Sequence, residues 1–152
     1  KKSAAHWGAY LADQGQVDPS HSMQIGLRGH PRTLDWLTPS YEYGYNVVTM
    51  AEYRQRGAAD VIAQTREMLA GRPVYITFDL DGLDPSVLSS TGTPVPGGLG
   101  FYQALDLVES AACGRCVKGI DVVELAPVSG QPVSDFTAAL ISYHLMRIAL
   151  GD

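Results

Sequence analysis

Cysteine is scarce in this chain: Cys113 and Cys116 are the only two in 152 residues. That is too few for a disulfide framework and agrees with a reducing compartment. Long hydrophobic runs are missing as well. No apolar stretch approaches the roughly 20 residues a membrane helix needs, and Lys1-Lys2-Ser3 is not followed by an apolar signal segment. A cytoplasmic location is therefore expected. Positive charge is also in short supply, 11 basic residues against 16 acidic ones for a net charge of −5, so there is no basic footprint for nucleic acid or an anionic membrane. Small cationic or neutral partners fit this charge better. Repeats, low-complexity tracts and flexible linkers are absent too, so residues 1–152 are read as a single domain. What is present is a composition 45% hydrophobic and 18% charged, which suits a globular chain able to bury a core.

Short β-rich runs alternate with longer helical patterns. Ser22-Met23-Gln24-Ile25-Gly26-Leu27 and Tyr45-Asn46-Val47-Val48 read as strands, separated by a Gly, Pro and aromatic-containing loop with one helical turn. Thr49 and Glu52 form a capping box that opens a helix running to Leu69, stopped by Gly71 and Pro73. Val74-Tyr75-Ile76-Thr77-Phe78 reads as a buried strand leading into Asp79-Leu80-Asp81-Gly82-Leu83-Asp84-Pro85. A long turn-rich loop, 86–100, leads to a helix from about Phe101 to Ala112. A strand over 117–123 ends at Glu124, and Ser134 is placed as the cap of a final helix reaching about Leu150. This alternation predicts an α/β fold with a parallel sheet between layers of helices, whose ligands sit at the carboxyl ends of the strands. Asp79, Asp81 and Glu124 lie at such ends.

In an extended backbone, residues two apart point the same way, so Asp79 and Asp81 would aim both carboxylates at one spot. Two like charges held together need a cation, and hard oxygen ligands favour Mg²⁺ or Mn²⁺. Alternatively the aspartates only cap turns. An EF-hand is excluded, because Gly82 is fourth rather than sixth and the twelfth position is Ser90. A haloacid-dehalogenase phosphatase uses Asp-x-Asp-Gly-Thr after a strand, but here Leu83 replaces the threonine and the motif falls halfway along the chain.

Phe78-Asp79-Leu80-Asp81-Gly82-Leu83-Asp84-Pro85, Thr91-Gly92-Thr93-Pro94, Gly97-Gly98-Leu99 and Gly119-Ile120-Asp121-Val122-Val123-Glu124 together resemble the C-terminal signature of the ureohydrolases, the arginase and agmatinase family, in order and spacing. More weakly, so do Gln24-Ile25-Gly26-Leu27-Arg28 and the closing helix. The resemblance implies an arginase-like three-layer fold lacking its first strands. It also implies two Mn²⁺ ions, with Ni²⁺, Co²⁺ or Fe²⁺ as substitutes, that activate a water for attack on a guanidinium carbon. By that likeness Asp79 and Asp81 are metal ligands and catalytic residues. Glu124 pairs with the substrate guanidinium and is counted with the catalytic set, and Thr93 helps hold the same group. The implied substrate is a linear guanidino compound, agmatine or guanidinobutyrate ahead of arginine, cleaved to urea and an amine.

The departures are plain. The Gly-Gly-Asp-His and Asp-Ala-His-x-Asp segments that complete the family's ligand set do not occur here, and Ala126-Pro127-Val128-Ser129-Gly130 replaces the family's usual sequence after the glutamate. The 152 residues are thus expected to be part of a longer enzyme, with the remaining ligands upstream of Lys1, or an inactive truncated unit serving assembly. A trimer or hexamer is implied by resemblance alone. His6 lies near the family's His-Gly loop but matches it poorly and reads as solvated. Cys113-Gly114-Arg115-Cys116 falls at a helix-to-strand turn with no second pair, and is read as structural rather than redox-active or zinc-binding. Trp36, Tyr41, Tyr43 and Tyr45 are assigned to packing, His144 to a packed or surface position, His21 and His30 to loops, and Arg28 to steering a loop or an ion pair.

Overall fold

The computed structural model of this chain describes residues 6–29 and 35–151; His30 lies outside them. In chain order the elements are α1 (Trp7–Asp13), β1 (Met23–Leu27), α2 (Thr38–Glu42), β2 (Asn46–Thr49), α3 (Met50–Arg56), α4 (Ala58–Met68), β3 (Val74–Asp79), α5 (Phe101–Ala112), β4 (Val117–Val123) and α6 (Pro132–Leu150), with 3-10 turns at Pro19–His21 and Leu80–Gly82. Both strand pairings are parallel, as the alternation of strands and helices requires. The strands bond as two separate pairs, β1 with β2 and β3 with β4, rather than as one ladder. One apolar cluster nevertheless unites them. It joins Val48, Met50 and Tyr53 to Phe78, Leu80, Leu83 and Leu88, and these to Leu105, Ile141 and Leu145. No helix among the described residues is long and apolar enough to cross a membrane.

The capping box at Thr49 is present. The Thr49 N–H donates to Glu52 Oε2 at 2.7 Å and the Glu52 N–H to Thr49 Oγ1 at 3.2 Å. The helix it opens is shorter than the expected run to Leu69. Gly57, at φ 85° and ψ 158°, takes a backbone conformation closed to other residues and divides it into α3 and α4. Arg56 reaches across the break to Asp60 at 2.6 Å and to Gln64 at 2.6 Å.

Two further expectations are corrected. α6 begins at Pro132, two residues before the predicted cap, because proline at the first helical turn carries no N–H to satisfy. Ser134 is instead buried inside that turn, where its Oγ accepts the N–H groups of Ser90 at 3.1 Å and Ser89 at 3.3 Å. β3 is not buried on both faces. Val74, Ile76 and Phe78 point inward, whereas Tyr75 is 62% exposed and Thr77 and Asp79 face out, since helices cover only one side of this two-stranded pair. On the outer face Asp121 accepts from Tyr75 Oη at 2.9 Å and Thr77 Oγ1 at 2.6 Å. Gly119 makes room for the Tyr75 ring, whose nearest carbon would be 2.6 Å from any Cβ there.

The aromatic run packs only in part: Tyr41 is 51% exposed, whereas Tyr43 and Tyr45 make contacts. Tyr45 Oη donates to the Gly8 carbonyl at 2.8 Å and Tyr43 Oη to Asp13 at 3.0 Å, tying α1 to the segment before β2. His144 lies edge-on to Phe101 and Tyr143. Both cysteines are exposed free thiols.

Candidate active site

The strand β3 delivers its last residue, Asp79, to a tight turn instead of continuing extended. The Asp81 N–H donates to Asp79 Oδ1 at 3.1 Å, closing the 3-10 turn Leu80–Gly82. The two acids are thus neighbours around a turn, not successive residues of one strand face. The leucines between them explain the local fold. Leu80 and Leu83 are wholly buried, so the acids at 79, 81 and 84 stay on the solvent side.

Asp84 organises the loop that follows. Its carboxylate accepts from Ser86 Oγ at 2.6 Å, Ser86 N at 3.0 Å, Gly97 N at 2.8 Å and Gly98 N at 3.2 Å, and these bonds hold it down to about 2. The loop is thereby pinched at its base, where Leu99 N donates to the Gly82 carbonyl at 3.0 Å and Asp84 N to the Leu99 carbonyl at 2.9 Å. Gly98 permits the pinch: a Cβ there would sit 2.6 Å from backbone atoms of Leu83 and Asp84. Arg28, just past β1, clamps the same turn from behind. It donates to the carbonyls of Asp81 at 2.7 Å, Leu83 at 3.0 Å and Val95 at 2.7 Å and 2.9 Å, with a longer contact to Gly26 at 3.3 Å. Its expected role as a loop-steering residue is met, through carbonyls rather than an ion pair.

The far end of the loop is stitched to the end of β4. Thr91 bridges Leu125, and Ala126 N donates to the Ser90 carbonyl at 2.9 Å. This brings Gly92 against Glu124, with a Cβ at Gly92 lying 3.5 Å from Glu124 Oε2, and sets Thr93 Oγ1 to donate to Asp81 Oδ2. Glu124 itself has φ 68°, the only positive value at a non-glycine residue among those described. Backbone strain of this kind, about 1–2 kcal/mol, gathers at sites that need a side chain aimed off the regular path.

Asp79, Asp81, Thr93 and Glu124 are therefore brought into one cluster. Its charge is uncompensated: no ion pair involves these acids among the described residues, and Arg28 spends its donors on carbonyls. Although Asp79 as a residue is exposed, desolvation of its carboxyl, followed by the like charges of Asp81 and Glu124, pushes it up from 3.8 to about 6 against the opposing pull of the Asp81 N–H. A carboxyl raised on folding stabilises the fold below its unfolded value, and that contribution fades as pH climbs through the folded one. In metal-free buffer the chain is therefore expected to lose stability between about pH 4 and 6. Asp79→Asn should melt higher than wild type at pH 7.5, with the difference closing toward pH 4. Thermal melts across that range check it, and a wild type that gains on the variant with rising pH contradicts it.

The cluster suits a hard divalent cation in kind, since Asp79 and Asp81 offer carboxylate oxygens that no ion pair among the described residues engages. In number it falls short, because no group of three or more His, Cys, Asp or Glu side chains among the described residues is placed to hold a metal. His6 stands exposed at the N-cap of α1. Sequence reasoning did not identify Asp84 and Gly98 as structural supports of this site. Both carried a signal, an Asp and a Gly-Gly flanking one loop.

Comparison with known proteins agrees with this architecture. The agmatinase of Serratia proteamaculans (strain 568) is 40% identical over 129 residues, which is 85% of this chain and 39% of that protein. Proclavaminate amidino hydrolase from Streptomyces clavuligerus matches with a TM-score of 0.84 at 31% identity, over 93% of this chain and 47% of its own. Arginase from Bacillus caldovelox matches at 0.74 and 28%, over 90% and 45%. The chain thus spans about two-fifths of the length of the curated relatives it matches. The sequence profile of the arginase family covers residues 1–150, which leaves no place for a dehalogenase-type phosphatase. With parallel strands, acids at their carboxyl ends and this match along its length, the chain belongs to the arginase family and has its α/β fold.

Proposed function

We propose that this chain carries the carboxylate half of a binuclear-metal site that hydrolyses a linear guanidino compound to urea and an amine. The observation that carries the reading is the cluster of three acids, Asp79, Asp81 and Glu124, with like charges unrelieved by any ion pair among the described residues. Asp79 and Asp81 would hold the cations, with the remaining ligands contributed by that part of the family's length which this chain does not span. Bound divalent metal, Mn²⁺ by preference, would supply Lewis-acid activation of water near neutral pH.

The chain's own residues have distinct tasks. Thr93 donates its hydroxyl proton to Asp81 Oδ2 and so fixes the direction of that carboxylate, leaving its oxygen lone pairs to accept from a guanidinium N–H. Glu124 presents two oxygens, the complement of a planar fork of N–H donors. Gly92, without a side chain, keeps the space beside Glu124 open for a flat group. The substrate class follows from this geometry together with similarity to agmatinases, and agmatine or guanidinobutyrate is favoured over arginine.

Two measurements test the reading. Mn²⁺ retention, followed by the paramagnetic resonance of the free ion with the remaining ligands present, is expected to fall more than about tenfold in Asp79→Asn and in Asp81→Asn. Urea release, assayed with the remaining ligands present, is expected with agmatine or guanidinobutyrate ahead of arginine. Retention indifferent to both aspartates refutes the metal assignment, and release of phosphate or ammonia in place of urea refutes the reaction.

A further inference from the structure

The buried stripe of α6 runs through Ser134, Ala138, Ile141 and Leu145, at the spacing of one helix face. The last three are apolar and belong to the core, but the stripe opens on a serine that is only 3% exposed. A buried hydroxyl needs partners. Ser134 Oγ accepts at both lone pairs, from Ser90 N–H at 3.1 Å and Ser89 N–H at 3.3 Å.

The segment it receives has no anchor of its own. The hydroxyls of Ser90 and Thr91 are buried and make no hydrogen bond among the described residues, so residues 89–91 are held through their backbone, and Ser134 is the side chain that holds them. On its other side the same segment fixes the chain just beyond Glu124. Ala126 N–H donates to the Ser90 carbonyl at 2.9 Å, and Thr91 bridges Leu125. Ser90 is thus held by α6 at its N–H and holds Ala126 at its carbonyl.

Glu124 therefore lies between two anchors. Before it, Val123 pairs with Asp79 in the β3–β4 ladder; after it, the chain is stitched to residues 90 and 91. A side chain at φ 68° keeps that conformation only where its surroundings over-determine it, and relaxes when either anchor is released. The stitch is much the shorter of the two, and it hangs on Ser134. The segment then continues past Gly92, beside Glu124 Oε2, to Thr93 and its bond to Asp81, so both groups assigned to the guanidinium share this support.

We propose that Ser134 is a positioning residue for the reaction proposed above, on which this assignment rests: its hydroxyl oxygen holds the Ser89 and Ser90 amides, and through Ser90 and Ala126 it keeps Glu124 in the left-handed conformation that aims its carboxylate at the guanidinium.

Ser134→Ala removes the acceptor with a residue that every helix tolerates, so the fold is kept. In nuclear magnetic resonance of the 152-residue chain, Glu124 is expected to lose the short intraresidue HN–Hα distance that marks left-handed backbone. The Ala126 amide should exchange at least about tenfold faster. Ile141→Val, which opens a small cavity in the same stripe, lowers stability without touching the stitch and should leave both signals as in the wild type. With the remaining ligands present, the KM for agmatine should rise roughly tenfold in Ser134→Ala, whereas a loss of folded enzyme alone lowers the apparent kcat and leaves KM unmoved. A left-handed Glu124 retained in Ser134→Ala overturns the assignment, as does its equal loss in Ile141→Val or an unchanged KM. A wild type that releases no urea counts against the proposed reaction instead, and the Glu124 signature then decides whether Ser134 holds this residue.

Discussion

Exchanging Gly98 for alanine is expected to cost about 3 kcal/mol, because the added methyl group meets backbone instead of a side chain that can move. The Cβ would meet the Leu83 carbonyl carbon at 2.6 Å, its oxygen at 2.7 Å and the Asp84 nitrogen at 2.6 Å. All three are backbone atoms held by the core residue Leu83, so no side chain can swing aside, and the loop over 86–100 must lift. Lifting it strips Gly97 and Gly98 N–H groups from Asp84 and draws Thr93 away from Asp81. The urea-denaturation midpoint should fall with the slope unchanged. Gly92→Ala is the control: its Cβ finds only ordinary contact with Glu124, and a shift below about 0.5 kcal/mol is expected. Equal effects at the two positions would show that the pinch between Leu83 and Gly98 is not what holds the loop.

Arg28→Met is expected to cost a similar amount, roughly 3 kcal/mol, and to lower the melting temperature by on the order of 10 °C. Methionine keeps most of the length and apolar stem but leaves the carbonyls of Asp81, Leu83 and Val95 without their charged donor. Hydrogen bonds to a charged group contribute about 1.5–3 kcal/mol each and do not add when they share one side chain, so the sum is capped well below three times that. Lysine should rescue little. Its three donors diverge from a single nitrogen, whereas the carbonyls are met by a planar fork from different sides. The defect should localise: amide exchange at Leu83, Asp84 and Leu99 should quicken while α5 and α6 stay protected. Uniform acceleration across the chain would mean Arg28 supports the whole fold instead of one turn.

Much of this site could be seen in the residues alone. Asp79, Asp81 and Glu124 are placed at strand ends by the residues alone, but the extended geometry read for 79 and 81 gives way to a turn that the burial of Leu80 and Leu83 anchors. The three-residue spacing of Thr49 and Glu52 encodes a cap by local hydrogen bonds only. What stayed hidden depends on distant parts of the chain. Arg28 donates to Leu83 and Val95, 55 and 67 residues away, and no local pattern carries that information. The helix after Thr49 looked continuous because propensity tolerates a glycine, while the division at Gly57 needs a φ that composition does not report. Val74 to Phe78 read as fully buried because tyrosine and threonine suit either environment, and only the coverage by helices on one side separates the two faces. Ser134 looked like a cap because serine often is one, yet Pro132 starts the helix earlier and frees that hydroxyl to hold Ser89 and Ser90.

The left-handed backbone at Glu124 has a consequence for how the two faces of the β3–β4 pair relate. Up to Val123 each side chain's direction is dictated by the pleat, so anything that re-covers the face of Tyr75 and Asp121 is transmitted along the strand. At residue 124 the chain leaves that alternation, and the carboxylate's aim is set by its own torsion and by Gly92 beside it. The bearing of this one acid is thus set at the end of β4 by its own backbone and by the loop that carries Gly92. Asparagine or glycine would sit in the same backbone more comfortably and bring no charge, so comfort and chemistry pull residue 124 in opposite directions.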